Sequence, residues 1–314
     1  MSESTRDALA SRAQETALKA VWAQWGVLNP MLLGGGAKQP SSMLDPEALV
    51  LASLGLWEAE RRLVDVLAWW APRGATLMST RRTDTLRAGF PAHVAGRLDQ
   101  FGSWAHEGGD PRWKGKGTGE VTVRAGKGPS ELGLNGPGTL LLRLRAGFGV
   151  SAKPDVLAFL LALDGVPAAP KEIARAVGYA GKNVRVAARD LVLGGFLDER
   201  DSYPVEYAAR PGFARGFIRL LSWENSPGVG VPAWNHWAAV YAFLLSVAAW
   251  GEADGPTNGY VLSSQARDLF ERYSWVFRSA ELRVPDPNRY PGEQYLGAFS
   301  DTLDALSAWL AGRP

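Results

Sequence analysis

Four residues whose side chains are suited to hydrogen bonding with base edges fall within one eight-residue stretch. They are Lys182, Asn183, Arg185 and Arg189. Arginine pairs well with the edge of guanine, and asparagine pairs well with the edge of adenine. Arg185 and Arg189 are four positions apart, so on a helix they lie on one face. The residue types and their spacing predict a helix that can present these groups to the major groove of DNA.

An apolar stripe supports a helix across these four residues. Val184, Ala187, Ala188 and Leu191 recur at intervals of three and four, the period of a helix with one buried face. The polar residues then fall on the opposite face. Two interpretations fit this pattern: a helix that reads DNA, or an ordinary surface helix whose charged face is solvated.

The neighbouring segments give this helix a defined context. A mostly apolar helix is predicted over residues 153–163, and a short helix over residues 170–178 begins at a proline and ends at a glycine. Residues 179–181 then form the turn into the longer helix. Two extended segments, residues 196–197 and 205–207, predict a β-hairpin after it.

This order of helix, short helix, glycine-containing turn, longer helix and hairpin resembles the winged helix-turn-helix superfamily, of the kind seen in bacterial regulators of the MarR and ArsR type. The resemblance is carried by residues 172–178, Val184, residues 188–191 and residues 195–197, within a segment from 139 to 210. It implies that the second helix enters the major groove and that the protein binds double-stranded DNA as a homodimer. The residues implied to contact DNA are Lys182, Asn183, Arg185, Arg189, Arg175 and Lys171.

A glycine-rich basic stretch precedes this segment. Ten of the 31 residues from 108 to 138 are glycine, which predicts a loop. Between residues 112 and 145 seven residues are basic and two are acidic. The stretch is either a solvated loop or an arm that contacts the DNA backbone. The candidate backbone contacts are Lys114, Lys116, Arg124, Lys127, Arg143 and Arg145, with Arg81, Arg82 and Arg87, expected to be exposed, as further candidates.

The predicted hairpin favours a different partner. Residues 150–212 contain eight basic and eight acidic side chains, so this segment is neutral. Its predicted wing carries Asp198, Glu199 and Asp201, whose carboxylates would repel phosphate. The alternative function is therefore a protein-docking component, such as an antitoxin-like or defence-system partner, that uses this segment and the tryptophan-rich C-terminal region for protein contacts. The two functions can coexist in one molecule.

The composition excludes several kinds of catalytic site. The chain has no cysteine, which rules out a thiolate nucleophile, a disulfide framework and cysteine-ligated metals. Its three histidines fall in no metal-binding pattern, and no nucleophile-elbow motif is present. The glycine-rich residues 34–38 lack the Ser or Thr that must follow the lysine of a phosphate-binding loop. We therefore expect no enzymatic activity, no cofactor and no metal.

The predicted fold is mainly α-helical, with a central winged helix-turn-helix that carries a small β-hairpin wing and with helical domains on both sides. The expected boundaries are a helical N-terminal domain over residues 1–107, a glycine-rich basic linker over 108–138, the winged helix-turn-helix over 139–212, and an association or sensor domain over 213–314. In the last domain, helices are predicted over residues 234–250, 263–281 and 293–310. Trp234, His236 and Trp237 either line a ligand pocket or belong to the core.

Local signals fix some helix starts in the first hundred residues. Asp45, followed by proline, and Ser79 are both residues that cap a helix N-terminus well. They predict helices that begin at about residues 46 and 80. A further helix is predicted to begin at Glu58.

The overall charge and hydropathy favour a cytoplasmic protein with no membrane segment. The chain has 34 basic and 32 acidic residues, so it is only mildly basic. Its longest apolar run, residues 237–250, has 14 residues, whereas a membrane-spanning helix needs about 20. The N-terminal residues are polar and of mixed charge, which does not fit a signal peptide.

Overall fold

The computed structural model of the 314-residue chain describes residues 2–29, 42–115, 121–122, 132–210, 212–213, 216, 230–253 and 258–312. Over these ranges it is mainly helical, with twelve α-helices and one two-stranded antiparallel sheet. The first five helices are α1 (Ser2–Leu28), α2 (Pro46–Leu56), α3 (Arg62–Gly74), α4 (Thr80–Arg87) and α5 (His93–Glu107). The central elements are α6 (Leu140–Phe148), α7 (Ala152–Ala162), α8 (Pro170–Val177), α9 (Gly181–Leu193), β1 (Leu197–Arg200) and β2 (Glu206–Ala209). The last three helices are α10 (Trp237–Glu252), α11 (Gly259–Ser279) and α12 (Gln294–Gly312).

Two predicted helix starts are confirmed by their side-chain caps. The Asp45 carboxylate accepts a hydrogen bond from the Ala48 N–H at 3.1 Å, and Pro46 occupies the first helical position. The Ser79 hydroxyl accepts one from the Arg82 N–H at 3.2 Å. Each cap satisfies a backbone donor that the first turn of a helix leaves unpaired.

Three predicted helix starts are wrong by several residues. Helix α3 begins at Arg62, not at Glu58. Helix α10 begins at Trp237 because His236 adopts a left-handed backbone with φ 50°, which cannot continue a helix from Trp234. Helix α11 begins four residues before Ser263, because the Asn258 side chain caps it by accepting a hydrogen bond from the Val261 N–H at 2.9 Å.

The buried apolar side chains form two clusters. The first core is built from α1–α5 and α10–α12, so both ends of the chain contribute to it. Within it, α1 packs along α10. The second core is built from α6–α9 and the hairpin. Leu142 of α6 belongs to the first core, whereas its neighbours Leu141 and Leu144 belong to the second, so α6 lies between the two.

Five charged side chains meet between the two cores and are almost completely buried. We call this set, Asp45, Glu47, Arg82, Arg145 and Asp155, the buried ionic cluster. Arg82 donates to both carboxylate oxygens of Asp45 at 2.6 Å and to Glu47 at 2.5 Å. Arg145 donates to both oxygens of Asp155 at 2.8 and 2.6 Å and to Glu47 at 2.7 Å. Glu47 therefore joins the two arginines, and the cluster ties α2 and α4 to α6 and α7.

The cluster is extended by backbone groups at its edges. The Arg82 Nε–H donates to the Val177 carbonyl at 2.6 Å, and an Arg145 N–H donates to the Leu77 carbonyl at 2.9 Å. The Ser79 N–H donates to Glu47 at 2.6 Å. Buried charges of this kind are tolerated only where nearly every polar atom has a partner.

The two aspartates of the cluster respond differently to their surroundings. Burial on its own would raise the pKa of Asp45, but the charge and hydrogen bonds of Arg82 outweigh it and lower that pKa. Burial raises the pKa of Asp155 above its usual range, against the opposing charge and hydrogen bonds of Arg145. Two guanidinium groups face three carboxyl groups, so one carboxyl is less well compensated than the others.

Two sequence expectations are overturned by this cluster. Arg82 and Arg145 were expected to be exposed contacts for a DNA backbone, yet their side chains are inaccessible to solvent. Each is held by carboxylates, so neither can reach a phosphate.

Among the described helices, none is both long and apolar enough to cross a membrane.

Candidate nucleic-acid interface

Local features set both ends of helix α8. Pro170 occupies the first helical position, and Ala169, which has no polar side chain, precedes it. The Glu172 carboxylate accepts a hydrogen bond from the Ala169 N–H at 2.9 Å, so a backbone donor at the helix start is satisfied from within the first turn. Gly178, with φ 72°, ends the helix in the left-handed region and turns the chain toward α9.

Helix α9 is held by its apolar stripe against the second core. Val184, Ala187, Ala188 and Leu191 are all buried, and α9 packs against α7. The predicted stripe is therefore confirmed. Because the stripe fixes the rotation of the helix, the opposite face is turned outward.

The hairpin is attached to the start of α8 as well as to α9. Strands β1 and β2 pair in antiparallel register from Leu197 opposite Ala209 to Arg200 opposite Glu206. Ala168 adds a bridge to β2, with two backbone hydrogen bonds of 2.9 and 3.0 Å to Tyr207. The hairpin therefore contacts both the residue that leads into α8 and the helix α9.

Five of the six predicted DNA-contacting residues are exposed. Lys171 and Arg175 lie on α8, and Lys182, Arg185 and Arg189 lie on α9. The sixth, Asn183, is half-buried. Within the described part of the chain, no ion pair joins Lys182 or Arg185 to a carboxylate. The same holds for Lys171, Arg175 and Arg189, so none of the five exposed cations has a carboxylate ion pair within the described residues.

A groove of about 590 Å³ runs beside the start of α9 and brings in cations from outside the helix. Arg81 on α4, Lys153 on α7 and Lys182 on α9 all line it. Lys153 forms an ion pair of 2.8 Å with Asp190, so its charge is partly compensated. Arg81 is exposed, as the sequence predicted. We call this feature the basic groove; Ser79, Ser151, Tyr179 and Asn183 also line it.

The cations of α8 lie away from the basic groove. The Arg175 guanidinium lies over the Trp275 ring of α11, 5.1 Å from its centroid. This stacking is a cation–π contact. Arg175 and Lys171 both line a second cavity, away from the basic groove.

The acidic hairpin is partly neutralised by its surroundings. Asp198 pairs with Arg210 at 2.8 Å. Burial and the nearby Glu199 carboxylate raise the pKa of Tyr207, while Arg189 opposes this rise. Arg189 and Glu199 therefore both lie near the Tyr207 hydroxyl. Asp201 stays exposed near the tip of the hairpin.

The glycine-rich basic stretch lies largely outside the described residues. Lys116, Arg124 and Lys127 fall in the ranges that are not described, so their predicted roles stay predictions. Lys114 is exposed and Arg143 is half-buried. Arg145, as noted, is buried. Arg87 is partly exposed and lies 3.8 Å from Asp84.

Sequence reasoning missed how these cations are grouped. Arg81 was only one of several alternatives for a backbone contact, and its place beside Lys182 depends on how α4 packs near α9. The ion pair between Asp190 of α9 and Lys153 of α7 likewise depends on how two helices pack. No local pattern links positions so far apart in the chain.

Comparisons with protein-family models, with curated proteins and with solved structures find no match to this chain. Among the described residues no group of three or more histidine, aspartate or glutamate side chains is arranged to hold a metal ion.

Proposed function

We propose that this protein is a sequence-specific DNA-binding regulator that inserts α9 into the major groove through a winged helix-turn-helix and acts as a dimer. The observation that carries the proposal is the outward face of α9. Lys182, Arg185 and Arg189 are exposed on a helix whose opposite face is fixed in the second core. Arginine side chains on such a helix are suited to guanine edges.

The order of elements supports this proposal. A helix, a bridge residue, a short helix, a tight turn, a longer helix and a hairpin follow one another from α7 to β2. The short helix and turn set the angle of the longer helix, as in DNA-binding helix-turn-helix proteins. The pairing of Ala168 with Tyr207 anchors the hairpin beside the same motif.

The basic groove supplies phosphate contacts that the hairpin lacks. Arg81 and Lys182 line it and are exposed. A DNA backbone that passes the start of α9 would meet both cations, while the acidic residues of the hairpin lie beyond the other end of the helix. Phosphate contacts position a protein on DNA, and base contacts specify the sequence. Arg81 and Lys182 therefore position α9, and Arg185 and Arg189 read bases.

The test is selection of duplex DNA from a random pool, followed by fluorescence anisotropy on the enriched sequence and on a scrambled duplex. We expect tight binding to the enriched sequence only, with Arg185→Ala and Arg189→Ala each weakening it by about 1–3 kcal/mol. Arg81→Ala should weaken both duplexes alike and reduce the salt dependence. Arg283→Ala, an exposed arginine after α11, is the matched control and should leave binding unchanged.

Failure to enrich any sequence would contradict the proposal. So would an enriched sequence that binds equally well to the Arg185 and Arg189 variants. Light scattering on the complex tests the dimer, which requires two chains on one site.

A second candidate function is supported by the hairpin tip. Tyr203 is completely exposed there, next to Asp201 and Ser202, and exposed tyrosines are common anchors of protein interfaces. In this alternative the hairpin docks a protein partner. Copurification of a stoichiometric partner that is lost with Tyr203→Ser, but kept with Arg185→Ala, would favour it.

A further inference from the structure

A second cavity, of about 600 Å³, lies between α8, the end of α7 and α11. Its walls include four aromatic rings, and we call it the aromatic cavity. Phe159 meets Trp234 edge to face, with 5.7 Å between ring centroids. His236 meets Trp275 edge to face at 5.0 Å and lies 6.3 Å from Phe159. A volume of this size is within the range of small-molecule sites.

Two polar atoms on these aromatic residues are left without partners. Trp234 Nε1 and His236 Nδ1 are buried and have no hydrogen-bond partner among the described residues. Buried polar groups in folded proteins are nearly always paired, so an unpaired one needs an explanation. The indole N–H is a donor only. Water does not reach this nitrogen in the present arrangement, so an acceptor in the cavity pairs with the indole N–H only when the Trp234 ring turns toward it.

The polar rim of the cavity favours a negative charge. Lys171 and Arg175 both line it and are exposed. Glu172 lines it as well, but its carboxylate already accepts a hydrogen bond from the Ala169 N–H. The Arg175 guanidinium is held over Trp275. Its plane is therefore preorganised beside an aromatic wall, where a carboxylate can approach its edge.

We propose that the aromatic cavity binds a small planar aromatic anion, whose ring packs among Phe159, Trp234 and Trp275 and whose anionic group accepts from the Trp234 indole N–H and from Arg175. Competing ligand classes fit less well. A neutral apolar ligand would leave the buried indole donor unpaired, and a cation would be repelled by Lys171 and Arg175. Binding in the aromatic cavity therefore needs both the aromatic ring and the negative charge of the ligand.

This inference does not depend on DNA binding. The cavity is lined by α8 and by α11, so a bound anion would contact the helix that precedes α9 and also a helix of the first core. Binding of the anion can be measured on the protein alone, and the result does not depend on whether the protein binds DNA.

The experiment is isothermal titration of the full chain with 1-naphthoate as the probe. Its matched comparisons are 1-naphthalenemethanol, which keeps the rings without the charge, and acetate, which keeps the charge without the rings. We expect saturable binding of 1-naphthoate with a dissociation constant of about 1 mM or tighter, and at least tenfold weaker binding of the other two.

Two variants locate the site. Trp234→Phe keeps an aromatic ring but removes the N–H donor together with part of the indole surface, and Arg175→Ala removes the exposed cation. Each should weaken 1-naphthoate binding by about tenfold, whereas Arg278→Ala, an exposed arginine of α11 that does not line the cavity, should not change it. Circular dichroism of each variant checks that the fold is kept.

Three results would overturn the proposal. The first is no saturable heat with 1-naphthoate. The second is equal affinity for 1-naphthalenemethanol, which would make the cavity a purely apolar site. The third is unchanged binding in both the Trp234→Phe and Arg175→Ala variants, which would place the probe elsewhere on the protein.

Discussion

At the scale of single residues, the buried ionic cluster is the clearest case of side chains that depend on one another. The Arg145 side chain has no accessible surface, and it pairs with both Asp155 and Glu47. If Arg145 is removed, the three buried carboxylates face only the guanidinium of Arg82, in a site that water does not reach. Arg145 therefore contributes to stability mainly because its removal would leave buried carboxylates with too little positive charge.

We expect Arg145→Met to lower the free energy of unfolding by about 3–5 kcal/mol, because it leaves three buried carboxylates with a single guanidinium while keeping most of the side-chain volume. Urea denaturation followed by circular dichroism measures this. Arg185→Ala is the control, since Arg185 is exposed, and it should change stability by no more than about 0.5 kcal/mol. A loss below about 1 kcal/mol in Arg145→Met would contradict the role assigned to the cluster.

His236 gives a pH-dependent prediction. Burial lowers the pKa of His236 to about 4, so the folded protein keeps this histidine neutral where an unfolded chain would protonate it near pH 6.5. The stabilisation is complete above pH 6.5 and is lost as the pH falls from 6.5 toward 4, because the unfolded state then binds the extra proton. Between pH 7.5 and pH 5 this amounts to about 2 kcal/mol.

The variant that tests this is His236→Asn, since asparagine tolerates the left-handed backbone at this position. Urea denaturation at pH 7.5 and pH 5 gives the stability difference for each protein. The difference should be smaller in His236→Asn than in the unmodified chain by about 2 kcal/mol. Equal differences in the two proteins would mean that His236 is protonated in the folded state.

Which side chains are exposed was only partly predictable. The outward position of Lys182 and Arg185 followed from the apolar stripe of α9, because helical periodicity fixes both faces at once. The burial of Arg82 and Arg145 did not follow, because Glu47, which contacts both arginines, lies 35 residues from Arg82 and 98 residues from Arg145. The sequence around a charged residue does not show which distant residue it pairs with.

At the scale of elements, the turn between α8 and α9 decides how the candidate interface is presented. Gly178 has φ 72°, and a Cβ added there would meet Leu86 at 3.0 Å and Arg82 at 3.4 Å. The turn therefore fits closely under α4. Its shape requires glycine both for its backbone angle and for the space around it.

Gly178→Ala should destabilise the protein by about 1–2 kcal/mol, through left-handed strain and contact with α4. The matched control is Gly147→Ala in α6, where an added Cβ meets nothing within 4 Å, and this change should be neutral or stabilising. Thermal unfolding of both variants measures the contrast. A Gly178→Ala protein as stable as the control would show that the turn relaxes freely.

Element boundaries were predicted best where a local side chain or breaker sets them. Helices α7 and α8 begin and end within a residue of their predicted limits, and the starts of α2 and α4 followed from their capping residues. The start of α10 was missed because the left-handed residue that precedes it is a histidine and not a glycine, so the sequence does not mark the break. The start of α11 was missed although Asn258, a good cap, was visible in the sequence.

At the scale of the whole molecule, the first core joins the two ends of the chain. Helices α1 and α10 approach so closely that a Cβ added at Gly251 would lie 2.1 Å from the Ala10 Cβ. The predicted boundaries assign these helices to separate domains, because no local pattern relates residues more than 200 positions apart. Their common core depends on complementary small residues at the contact.

Gly251→Ala should therefore lower stability by about 1–2 kcal/mol, since overpacking outweighs the gain in helix propensity. Gly297→Ala in α12, where an added Cβ meets nothing within 4 Å, should be neutral or slightly stabilising. Urea denaturation compares them. If the two variants are equally stable, the packing of α1 on α10 does not limit the stability of the molecule.

The buried ionic cluster also has a consequence for how the chain can diverge. Its five members are spread over positions 45 to 155 and satisfy one another, so a single replacement is costly while joint replacement by apolar residues of similar size is tolerated. Descendants of this sequence should keep all five together or exchange them as a set. Covariation among these positions would be the evolutionary trace of that constraint.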